Sequence, residues 1–184
     1  SNGYGQVGNE SSSSVSTPLT VAGNVKFTEV SCGGFHTLAI SSGNLYSWGR
    51  NDKGQLGLGL YNNINKPTQV GVASGWESAS AGGFHSLVQN VTADIYSFGD
   101  NSQGQLGMGD RITRNIPTSL SFEGIQGYEA GPYHSGAIDS MGGYYYGWGQ
   151  NNEDGRIGFP TPKKVVEEPG SINFSSESSS SSSQ

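Results

Sequence analysis

The chain repeats itself about every 50 residues, and this constrains it more than any other feature. His36, His85 and His134 are spaced by 49 and 49, Trp48, Phe98 and Trp148 by 50 and 50, and Pro18, Pro67 and Pro117 by 49 and 50. Around these markers "NGYGQVG" (2–8), "NDKGQLG" (51–57), "NSQGQLG" (101–107) and "NNEDGRIG" (151–158) are variants of one loop. A period of this length means one supersecondary unit used several times. No unit buries its apolar surface alone, so the core must form between neighbours.

One period read in full gives short strands. "NVKFTEV" (24–30), "FHTLAI" (35–40) and "NLYSWG" (44–49) carry the alternation and the β-branched and aromatic content of strands, and "PTQVGV" (67–72) offers a fourth. The tip between the second and third strands reads "SSGN", "NVTAD" and "DSMGGY" in successive copies, a variation that belongs on a surface. Four short antiparallel strands per repeat, with glycine turns and an aromatic-Gly signature, predict an all-β chain of β-propeller blades. Residues 1–166 hold about three and a half blades, and 167–184 form a Ser-rich tail expected to be disordered. The chain begins inside a repeat, so it reads as a piece of a longer protein whose remaining blades complete the propeller. "NESSSSVST" (9–17) reads as a low-complexity insertion in the first loop.

"GQLGLG" (54–59) has the glycine spacing of a dinucleotide cradle reversed, yet no helix follows, since "LYNNINKPTQV" has no helical period and contains Pro67. A loop present once per repeat is explained by geometry, so Gly54, Gly57, Gly104 and Gly107 are read as structural. Gly33, Gly82 and Gly131 suit crowded backbone, and Gly49, Gly99 and Gly149 suit a strand exit. Trp48, Phe98 and Trp148 are large apolar groups in blades with few leucines, so they are expected to pack neighbouring blades together.

Hydrophobic residues are 32% of the chain, and the net charge is −6 with nine Lys and Arg, which supplies no basic stripe for nucleic acid. One cysteine, Cys32, excludes an internal disulfide; no apolar run resembles a signal or a membrane span, and a cytoplasmic or nuclear location is expected. Sequons at Asn9, Asn90 and Asn173 are what a chain rich in Asn and Ser contains by chance. The repeated histidines would stand about 10 Å apart on packed sheets, too far to share a zinc ion with bonds of about 2 Å. Each is instead expected to donate to a neighbouring backbone carbonyl. Catalysis needs unlike groups in one place, whereas a repeat distributes like groups, and Asp52, Asp100 and Asp154 near the loops read as surface charges. No catalytic residue, metal or cofactor is assigned.

"CGGFHTLAISSGNLYSWGRNDKGQLGLG" (32–59), "AGGFHSLVQNVTADIYSFGDNSQGQLGMGD" (81–110) and "AGPYHSGAIDSMGGYYYGWGQNNEDGRIG" (130–158) resemble repeats of the regulator of chromosome condensation family. The resemblance implies a seven-bladed propeller. The family's best-known activity is guanine nucleotide exchange on the small GTPase Ran, through a propeller face and a protruding hairpin wedge. Motif spacings of 49 to 51 leave no room for such a hairpin in the copies present, so exchange requires other blades. Photoreceptor members carry Gly-Trp-Arg-His-Thr where this chain has "GGFHT" (33–37); here the tryptophan position holds Gly34, Gly83 and Pro132, and the arginine position Phe35, Phe84 and Tyr133. Photoreception is therefore set aside. What remains is a position, aromatic in every copy, that faces a partner in a relative. Phe35, Phe84 and Tyr133 are either a protein-binding arc, with Arg50, Asp100 and Arg111 as rim groups, or residues buried between blades. The expected function is a non-enzymatic protein-interaction scaffold, with exchange on a small GTPase as the alternative.

Overall fold

The computed structural model describes residues 1–122 and 124–150 and the short strand at 163–164. The fourth loop copy at 151–158, Asp154, the expected boundary at 166 and the Ser-rich tail lie outside the described residues.

The described chain is all-β, in three four-stranded antiparallel sheets. The first holds β1 (Glu29–Cys32), β2 (His36–Ser41), β3 (Asn44–Gly49) and β4 (Ile64–Gln69). The second holds β5 (Trp76–Ala81), β6 (His85–Asn90), β7 (Ile95–Gly99) and β8 (Arg114–Ser119). The third holds β9 (Ile125–Ala130), β10 (His134–Asp139), β11 (Tyr145–Gly149) and β12 (Lys163–Lys164). Each sheet is an up-and-down meander in sequence order, so each is one blade.

Strand position explains strand composition. β2 and β6 are buried along their first five residues, because a middle strand is covered on both faces, by blades on either side of β6 and by the second blade and the N-terminal loop around β2. β4 and β8 are half-exposed and tolerate Pro67 and Pro117, since an outer strand needs no donor on its free side. Two sequence-based boundaries are corrected by this pairing. The first strand starts at Glu29 rather than 24, and the fourth runs 64–69 rather than 67–72, beginning where Ile64 pairs with Gly49. The hairpin tips also differ: Ser42 and Gly43, both at positive φ, make a two-residue turn, whereas the later tips span 91–94 and 140–144.

The core lies in the seams between blades. Leu38, Ile40, Leu45 and Val70 of the first blade pack against Trp76, Ala81, Val88 and Phe98 of the second. Leu87, Ile95 and Leu120 of the second pack against Ile125, Ala137 and Trp148 of the third. Trp48 is 3% exposed and meets Phe27 at 5.7 Å. Phe98 and Trp148 are thus inter-blade packing, whereas Trp48 packs on Phe27 of its own repeat and on the N-terminal loop at Gln6 and Gly8.

Candidate functional site: an aromatic ladder and its supports

Each of the three described glycine loops latches onto the blade that follows it. Its frame is a buried asparagine: Asn51 Oδ1 accepts from Leu56 N–H at 3.0 Å, and Asn51 Nδ2 donates to Leu60 O at 2.8 Å. Asn2 and Asn101 repeat this with Val7 and Leu106. Asn2 Nδ2 also donates to Ser11 O and Ser13 O, which ties down the serine-rich insertion. The loop then reaches across the seam. Gly57, at φ +68°, lies against the Phe98 ring, and Gly59 N–H donates to Asn115 O of β8 at 2.8 Å. The carbonyls of Gln6 and Gln105 accept from the indoles of Trp48 and Trp148, each at 2.9 Å. Gly54, Gly57, Gly104 and Gly107 all sit at positive φ, which explains a loop so rich in glycine without any phosphate.

The histidines belong to the same seams, with a partner other than the one sequence reasoning gave. His36 Nε2 lies 2.9 Å from Ser86 Oγ and His85 Nε2 lies 2.8 Å from Ser135 Oγ, in each case a hydroxyl of the next blade. Ser86 Oγ donates to Gln55 O and Ser135 Oγ to Gln105 O. A hydroxyl has one hydrogen, so each serine must accept from the imidazole Nε2–H. Burial lowers His36 to about 4 and His85 to about 3, so both rings are neutral. Among the described residues no three His, Cys, Asp or Glu side chains form a metal-holding group.

Just before the histidines the blades approach through backbone alone. Gly34 N–H donates to Gly82 O at 3.0 Å and Gly83 N–H to Gly131 O at 3.2 Å, and a Cβ on Gly82 would sit 2.6 Å from Gly131 O. This close approach stacks the following side chains. Phe35 and Phe84 have centroids 6.2 Å apart, Phe84 and Tyr133 6.1 Å apart at 26°, and Tyr4 adds a fourth ring 5.4 Å from Phe35. Phe35 is 37% and Tyr133 38% exposed, and neither belongs to a seam core.

Arg50 lies over this ladder, its guanidinium carbon 4.9 Å from the Tyr4 ring centre, 5.6 Å from Phe35 and 5.0 Å from Phe84. Asp52 fixes it there with a two-pronged ion pair at 2.7 and 2.8 Å; the Arg50 bond in turn lowers the Asp52 carboxyl. Arg50 is therefore part of the ladder rather than its rim. Asp100, expected on the rim, is 7% exposed and accepts from Ser102 Oγ and Gln105 Nε2, so it braces the second loop. Arg111 is exposed and donates to Ser102 O at 3.2 Å. Sequence reasoning missed Tyr4, although it holds the place in the first loop copy that Lys53 and Gln103 hold in the next two.

A family model for the regulator of chromosome condensation (RCC1) repeat matches residues 1–40, 42–89 and 93–138. The chain belongs to the RCC1 repeat family. Among curated relatives, the Arabidopsis thaliana ultraviolet-B receptor UVR8 is 32% identical over 161 residues, covering 83% of this chain and 37% of the receptor. The probable E3 ubiquitin-protein ligase HERC6 of Homo sapiens is 33% identical over 155 residues, 77% of this chain and 15% of that protein. The chain thus spans well under half the length of either relative. The structure of human WBSCR16 superposes over 90% of the chain and 46% of its own length with TM-score 0.73 and 22% identity. That of Prp20p from Saccharomyces cerevisiae, described with its binding properties to Gsp1p and histones, covers 76% of this chain and 38% of its own, with TM-score 0.66 and 23% identity. These likenesses establish the propeller fold. No helix among the described residues is long and apolar enough to cross a membrane.

Proposed function

We propose that this chain is a non-enzymatic propeller module that binds a protein partner, in the cytoplasm or nucleus, through Tyr4, Phe35, Phe84 and Tyr133 with Arg50. The observation that supports it is the continuous ladder of four partly exposed rings beneath one oriented guanidinium. Aromatic and arginine side chains dominate binding energy at protein interfaces, and stacked rings on rigid blades lose little entropy on docking. Guanine nucleotide exchange on a small GTPase is the alternative; it would require blades beyond those described. A likeness to Prp20p at 23% identity supports the shared fold and no more.

The test is Phe35, Phe84 and Tyr133 changed together to Ser in the full-length protein, with Arg50→Ala made separately, each read by melting and by pull-down. The expected result is a selective loss of captured partners with the melt retained. Loss of stability with no selective loss of partners overturns the reading and returns the rings to a packing role. Nucleotide release from Ran by the full-length protein tests the alternative.

A further inference from the structure

Cations accompany the aromatic ladder, and their own acids do not balance them. A guanidinium has five N–H groups, and Arg50 gives two of them to Asp52, one from Nε and one from Nη2. The outward end of the fork, both hydrogens of Nη1 and one of Nη2, has no acceptor among the described residues. The side chain is 23% exposed and Nη1 is not buried, so a ligand can reach that end. One blade on, Lys53 holds the place beside Phe84 that Tyr4 holds beside Phe35, and it is exposed with no carboxylate partner among the described residues. Arg111, also exposed, reaches Ser102 O at 3.2 Å, next to Gln103, which holds that same place one blade further. Residues 1–8, 50–57 and 100–107 hold two carboxylates: Asp52, which is on Arg50, and Asp100, which is turned inward to Ser102 and Gln105. In a chain of net charge −6 this is a local excess of positive charge.

The rings add a length. Phe35, Phe84 and Tyr133 follow one another at 6.2 and 6.1 Å. Two residues of an extended strand advance about 6.4–6.8 Å and point their side chains the same way, so alternate side chains of a strand meet successive rings. A polyproline helix advances a similar distance but has three residues per turn, so side chains two apart diverge.

We propose, resting on the interaction role given to the ladder above, that its occupant is an extended acidic segment of the partner protein. Apolar side chains two residues apart lie on Phe35, Phe84 and Tyr133. A carboxylate between them takes the free end of the Arg50 fork in a second two-pronged pair, with Lys53 beside it.

The probe is a random peptide library displayed on phage and panned on the full-length protein. Enriched sequences are expected to carry Asp or Glu between apolar residues two apart. A synthetic copy of an enriched peptide should bind about ten-fold more weakly when its acids are changed to Asn or Gln, the loss of a charged hydrogen-bonded pair. Arg50→Gln should cost the acidic peptide a similar factor and leave the amide peptide unchanged. Lys53→Glu, at an exposed side chain outside the seam cores, should likewise weaken only the acidic peptide, and it decides if Arg50→Gln fails to fold. No enrichment, enrichment of neutral or basic sequences, or an acid-to-amide change that leaves affinity unaltered overturns the proposal. Binding that needs the rings but not the acids overturns this proposal alone. Binding indifferent to the combined change of Phe35, Phe84 and Tyr133 to Ser overturns the interaction role of the ladder as well.

Discussion

His36 and His85 show how a single side chain ties two blades together. Their neutral rings donate to serines that already donate elsewhere, and burial holds them at about 4 and about 3 against 6.5 in an exposed chain. Below pH 6.5 the unfolded chain therefore takes up protons that the folded one refuses, so their contribution is complete above 6.5 and is lost as pH falls toward 4. Urea titrations should show stability flat from pH 8 to 7 and then declining between 6.5 and 5, by up to about 1.4 kcal/mol per pH unit for each histidine. A flat profile down to pH 5 would mean that the rings are solvated. Ser86→Ala removes the middle of one relay and leaves the His36 Nε2–H and the Gln55 carbonyl without it; a loss of about 1–3 kcal/mol is expected by the same titration. Trp48→Ala should cost about 3–5 kcal/mol, against about 1 kcal/mol or less for Asp52→Ala, whose exposed ion pair is weak, or for Lys53→Ala. Equal melting shifts for the three would reopen Trp48 as a binding residue.

The glycine loop is the element that converts separate sheets into a stack. Gly57 and Gly59 both sit at positive φ, but a Cβ on Gly57 would come 2.9 Å from the Phe98 ring, whereas one on Gly59 meets only an Ile116 methyl at 3.8 Å. Gly59→Ala should cost about 1–2 kcal/mol from backbone strain, and Gly57→Ala about 1–3 kcal/mol more from overpacking, measured as urea midpoints. Matching midpoints for the two would show that the loop does not press on the next blade. The repeat period made the element count and the seam aromatics legible, and "NLYSWG" matched β3 because its alternation is uninterrupted. β1 and β4 differ because their limits depend on pairing across the sheet, and in β4 a bulge and a proline also break the local pattern. Pairing between blades was illegible for the same reason: nothing near His36 in sequence points to Ser86, and the burial of Asp100 depends on how Gln105 folds back. The aromatic position before each histidine could be picked out by its recurrence. Tyr4 could not, because its counterparts are Lys53 and Gln103.

Across the whole molecule each blade has one face that looks back and one that looks onward, and the onward face is apolar. Leu38, Ile40 and Leu45 on the first blade are buried against the second, and Leu87 and Ile95 on the second are buried against the third. The same positions on the third blade are Gly136, Ile138 and Tyr145. There Ile138 is 39% and Tyr145 41% exposed, beside a hollow of about 600 Å³ that Tyr128 and Ala137 also line. A face built to be covered, and flanked by strand edges, favours pairing with a second copy when no further blade covers it. The 184-residue chain is therefore expected to sediment as a concentration-dependent mixture. Ile138→Lys with Tyr145→Lys should shift it to monomer, with each change altering stability by about 0.5 kcal/mol or less because the side chains are already exposed. A sharp, concentration-independent monomer for the unmodified chain, with a cooperative melt, would show that the onward face of the third blade is already satisfied.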